Sequence, residues 1–144
     1  MYNAIDVAKY IILFCKEKGY SISNLKLQKL LYFVQAQFLI VKGEPAFLED
    51  IEAWDFGPVV PEVYQYYKVW GSSELPLLLA KGARAKIYEP DQRLMDEILK
   101  ECAPYSAVSL VDITHNQDPW LDAYERHCNN VITRESIEEY FKNN

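Results

Sequence analysis

The run Leu30–Val41, LLYFVQAQFLIV, is interrupted in its apolar character only at Gln35 and Gln37. It is too short to cross a bilayer, which takes about 20 apolar residues, so it belongs inside a protein core. Leu27, Leu30, Leu31, Val34, Phe38 and Val41 recur at steps of three and four residues, which is the period of a helix face. Ser23 is placed to cap such a helix at about residues 24–42, and Gly43 to end it. A helix this apolar needs neighbours. The first is predicted over residues 3–18, where Ala4, Val7, Ala8, Ile11, Ile12 and Cys15 form a stripe that stops at Gly19. A short connection makes the two an antiparallel pair.

Beyond Gly43 the helical period is lost until Pro61. Pro45, Gly57 and Pro58 punctuate the segment, and IEAWDF alternates as a short strand or half a hairpin does. Pro61 suits the first position of a helix, predicted at about 61–70, on which Val63, Tyr67 and Trp70 share the inward face. The stretch AKIYE offers a strand partner near residues 84–89. Further helices are predicted at about 91–102, at about 106–114, and from Asp118 as cap and Pro119 as first residue to about Cys128. A last one is capped by Thr133, with Ile132 and Ile137 spaced as a hydrophobic staple. The expected fold is mainly α: one compact domain, residues 1–144, of about six to seven helices with a short β element near residues 50–60 and 84–89.

Charge narrows the function. The net charge of −6 opposes a protein whose main task is gripping nucleic-acid phosphates. Glu44, Glu49, Asp50, Glu52, Asp55 and Glu62 stand in residues 43–67 without one Lys or Arg. An acidic segment with aromatic rings attracts a basic protein surface. Three cysteines, Cys15, Cys102 and Cys128, are odd in number and widely spaced, and Lys9 interrupts the N-terminal segment with no small-residue cleavage site after it. Those features point to the reducing cytoplasm, with no membrane association.

Little ordinary catalytic chemistry is offered. His115 is the one candidate general base, working with a nearby cysteine or carboxylate. His127 adjoins Cys128, but sequence neighbours on a helix point about 100° apart. No paired Cys/His spacing suggests a metal, and no phosphate-binding loop or nucleophile elbow suggests a cofactor or hydrolase. Residues 3–42 hold two helices and six lysines, as a DNA-binding regulator does, but the second helix is too long and too apolar for a recognition helix.

Three blocks carry a wider resemblance: LKLQKLLYFVQAQFL (Leu25–Leu39), IEAWDFGPVVPEVYQYYK (Ile51–Lys68) and LVDITHNQDPWLDAY (Leu110–Tyr124). In order and distance they resemble the Panacea antitoxin family, the SocA-like domains also described as phage-associated GepA-like proteins. The resemblance implies a non-enzymatic helical domain that neutralises a cognate protein toxin encoded nearby by direct contact. A second mechanism it implies is that of an adaptor delivering the toxin to a AAA+ protease. Lys29, Tyr32, Gly57, Pro58, Thr114, His115, Pro119 and Trp120 match the family motif without a role being fixed for any of them. With the local acidity it makes Asp50, Glu52, Trp54, Asp55, Phe56, Tyr64 and Tyr66 the candidate toxin contacts. Phe56 and Tyr66 are expected to be more exposed than Trp54.

Overall fold

The computed structural model describes residues 1–144. It contains seven α-helices and a three-stranded sheet: α1 Ala4–Lys18, α2 Asn24–Lys42, β1 Ile51–Trp54, β2 Gly57–Val59, α3 Pro61–Tyr67, α4 Glu89–Cys102, α5 Ala107–His115, α6 Asp118–Ala123, β3 Val131–Ile132 and α7 Arg134–Lys142. The expectation of a mainly helical chain with a small β element holds.

α2 is the axis of the molecule. Helices α1, α3, α4, α5 and α7 and strand β2 all pack on it, and fourteen of its nineteen residues are buried. It therefore has no solvent face over most of its length, as the run Leu30–Val41 demanded. The caps are those expected: Ser23 accepts from the Lys26 amide, and Gly43 ends the helix in the left-handed region. α1 ends the same way at Gly19. At the other end of the chain Thr133 caps α7 by accepting from the Ser136 amide, and Ile132 and Ile137 are both buried.

β1 pairs antiparallel with β2 through a tight turn at Asp55–Phe56 and with β3 on its other edge, giving the order β2-β1-β3. This corrects the expected partner for β1. Residues 84–89 form no strand: Arg84–Lys86 is a 3₁₀ turn and α4 already begins at Glu89. The cause is local, since Pro90 in the first turn, flanked by Glu89 and Asp91, favours a helix start over an extended strand.

Three further expectations fail. The helix expected to reach Cys128 stops at Ala123, where the side chain of Asn130 donates to the Ala123 carbonyl, and Glu125–Cys128 folds into a separate turn. In addition, α6 is preceded by Gln117 as its cap, with Asp118 already in the first turn. Trp70 does not face inward but is 36% exposed. After Tyr67 the backbone tightens into a 3₁₀ turn over Lys68–Trp70, and three residues per turn rotate Trp70 off the stripe that Val63 and Tyr67 share.

Candidate functional site

Polar side chains on α2 place the non-helical segment between Ala46 and Tyr64. Gln35 accepts from the Ala46 and Phe47 amides and donates to the Phe47 carbonyl. Gln28 accepts from the Val60 amide and donates to Asn24, which in turn donates to the Tyr64 carbonyl. Each of these groups is buried, so each bond also spares a desolvated partner that would cost about 1–3 kcal/mol unpaired. The helix thus holds the segment by side chains rather than by a sheet ladder.

Lys29 is the extreme case. It is fully buried, and its Nζ donates to the Pro58 carbonyl at 2.9 Å. No carboxylate pairs with it. Burial without a counter-charge pulls its pKa down to about 7. Its stem lies directly beneath Gly57: a Cβ on that glycine would stand 2.7 Å from Lys29 Cε and 3.0 Å from Thr114 Oγ1. Gly57 also has φ +103°, while Asp55 and Phe56 keep negative φ, so the hairpin's reversal falls on the glycine. Thr114 itself is buried and donates to the Leu110 carbonyl. Four motif residues, Lys29, Gly57, Pro58 and Thr114, therefore form one close-packed knot under the hairpin.

From the other side α5 and α6 clasp the turn. His115 Nε2 donates to the Asp55 carbonyl at 2.9 Å, and Trp120 Nε1 to the Trp54 carbonyl at 2.8 Å. The Tyr124 hydroxyl donates to Asp55 Oδ1, which raises the tyrosine's pKa. The three rings stack: His115 on Trp120 with centroids 4.1 Å apart, and Trp120 on Tyr124 at 4.4 Å. Tyr32 donates to Gln117 at the start of α6, and Pro119 is buried beside Trp120. His115 therefore holds the turn's backbone through Nε2 and packs its ring on Trp120. No three of the chain's His, Cys, Asp and Glu side chains converge as a metal-ligand set.

The clasped turn presents Asp55 and Phe56 to solvent, Phe56 with 67% of its surface exposed. Beside it lies an open groove of about 530 Å³, into which Trp54, Asp55, Phe56 and Tyr64 project. Trp54 and Tyr64 meet edge to face at 5.1 Å. Of the seven candidate contacts these four come together. Glu52 accepts from Trp54 Nε1 but lies outside the groove. Asp50 lines a separate cavity with β3 and the start of α7, and Tyr66, 57% exposed, leans on Tyr67. Trp54 is half-buried, so the expected order of exposure holds.

The matching family model is that described as "Antitoxin SocA-like, Panacea domain", over residues 27–121. The chain belongs to the SocA-like Panacea family. The matched span runs from α2 through the hairpin into α6, the elements that build the knot and the clasp apart from Tyr124. A curated relative, antitoxin SocA of Caulobacter vibrioides (strain NA1000 / CB15N), is 35% identical over 113 residues, covering 69% of this chain and 58% of the relative. The chain thus spans little more than half the length of that Panacea protein. No solved structure matches it. No helix is long and apolar enough to cross a membrane.

The groove contains residues that the sequence alone does not single out. Asn24 and Gln28 line it, and with Gln35, which lines the separate cavity at Asp50, they lie on one stripe of α2, spaced four and seven residues apart; polar groups at the inward period of an apolar helix are a legible sign of buried partners. Lys68, Ser72, His127 and Cys128 reach the groove only through the fold.

Proposed function

We propose that this chain is a non-enzymatic antitoxin that neutralises a protein toxin encoded beside it by direct binding, through the face formed by Trp54, Asp55, Phe56 and Tyr64. The observation that carries the reading is the turn itself. A tight hairpin anchored from below by α2 and from the side by α5 and α6 presents an apolar ring and a carboxylate in fixed positions, which lowers the ordering cost of binding a partner. Membership of an antitoxin family supports it.

Co-expression with the product of the adjacent open reading frame is expected to rescue growth; if that product is harmless, or never co-purifies with this chain, the reading fails. Reversing the charge at Glu52 and Asp55 is expected to weaken the complex by at least about tenfold, since opposite charges across an interface become like ones. Reversal at Asp50, which lines another cavity, is expected to leave affinity within about threefold. Isothermal calorimetry of the purified pair separates the two outcomes. His115→Ala is expected to keep neutralising the toxin wherever the variant stays folded by circular dichroism. Loss of neutralisation by a folded variant, with binding intact, would favour an enzyme.

A further inference from the structure

We infer that the groove between the hairpin turn, α3 and the Glu125–Cys128 turn receives an extended segment of the toxin in which an arginine or lysine meets Asp55 and an adjacent apolar side chain lies on Trp54 and Tyr64. The inference rests on the antitoxin reading and narrows it to one site and one ligand chemistry.

Shape, apolarity and charge each contribute. A volume of about 530 Å³ falls within the range of about 300–1,000 Å³ common to sites that enclose a ligand. Its floor is Leu25, Val59 and the Trp54–Tyr64 pair, so an apolar anchor buries its surface there. On the wall, one carboxylate oxygen of Asp55 is occupied by Tyr124. The other makes no hydrogen bond within the chain and points the pairing capacity of a fixed carboxylate outward. Of the six acids in residues 43–67, Asp55 alone lines the groove, so a cation is selected at the turn end of the groove, by that one unpaired carboxylate oxygen. Arginine fits best, because one guanidinium stacks on an aromatic face and pairs with a carboxylate at once. Lys68, which also lines the groove, has no ion-pair partner and is free to meet a carbonyl or acid of the same segment.

Two perturbations leave the core untouched. Ser72 is exposed at the rim, and Ser72→Trp fills the groove from outside. Cys128 is the exposed cysteine of the three, Cys15 and Cys102 being buried, so wild-type protein can be labelled there with fluorescein maleimide or, as a small control, with a methylthio group.

Affinity for the product of the adjacent open reading frame is expected to fall at least about tenfold with Ser72→Trp and with the bulky label. It is expected to change less than about threefold with the methylthio group and with Tyr66→Ala. Asp55→Asn, which retains an oxygen to accept from Tyr124, is expected to weaken binding about tenfold and to flatten its salt dependence. Photo-lysine in place of Lys68, which keeps the length and the amine of the residue it replaces and also lines the groove, is expected to capture a toxin peptide that carries an arginine or lysine beside an apolar residue.

A wild-type complex that tolerates both the tryptophan and the bulky label overturns the groove while leaving the antitoxin function standing. A captured segment without a cation overturns the assigned occupant. Absence of any wild-type complex overturns this inference together with the function beneath it.

Discussion

Gly57→Ala is expected to unfold or severely destabilise the chain, by about 3 kcal/mol or more, measured as a shift in the midpoint of urea denaturation. Two costs add. An L-residue forced into the positive-φ region loses about 1–2 kcal/mol, and overpacking a filled site adds about 1–3 kcal/mol. The second cost cannot be relieved cheaply here: the nearest atom, Lys29 Cε, belongs to a fully buried side chain held by its bond to Pro58. Against a total stability of about 5–15 kcal/mol the loss is large. Lys29→Ala in the same chain removes the obstructing stem, so the double variant is expected to lose less than the sum of the two single changes. Additive losses would show that the stem is not what Gly57 accommodates.

Lys29 gives the second large effect, in the dependence of stability on pH. Its folded-state pKa of about 7 lies below the ordinary lysine value near 10.4. Between those values the unfolded chain binds the extra proton, so stability rises with pH across that window. From pH 6.5 to 8.5 the rise is expected to be about 2 kcal/mol. Below pH 7 the contribution levels off, because both states are then charged. Above about pH 9 the trend reverses, as burial raises the thiol pKa values of Cys15 to about 11 and Cys102 to about 12, and the folded state then holds protons that the unfolded one releases. Lys29→Met is expected to flatten the curve between pH 6.5 and 8.5 while leaving the fall above pH 9. A wild-type chain whose urea midpoint does not move between pH 6.5 and 8.5 would contradict this account of the buried amine.

These two residues also mark how far sequence alone reaches. The apolar stripe of α2, the glycine and serine caps and the Thr133 start of α7 are local, and local chemistry reads them correctly. The partner of β1 is not local. Val131–Ile132 is a two-residue strand with no alternation to detect, whereas residues 85–89 contain a plausible but decoy β pattern that Pro90 converts into a helix start. The fate of Trp70 turned on whether three residues continued as α or tightened to 3₁₀, a difference beyond what side-chain spacing encodes. At the site, aromatic and acidic content pointed to the hairpin. The division of Trp54, Asp55, Phe56 and Tyr64 from Asp50 and Tyr66 required three dimensions. A lysine in a helix block reads as a solvated charge, and only the fold reveals Lys29 as the post on which the turn is seated.

The clasp on the turn has a consequence for the order in which the protein is made. Asp55 and Tyr124 are 69 residues apart, a distance that a ribosome covers in about 3–14 s at about 5–20 residues per second. During that interval α2 and the hairpin have already emerged and can associate, but His115, Trp120 and Tyr124 do not yet exist to fix the turn, and β3 is later still. The face is therefore finished by the last quarter of the chain, so a nascent or truncated product that ends before α6 carries the acidic, aromatic loop without its fixed shape.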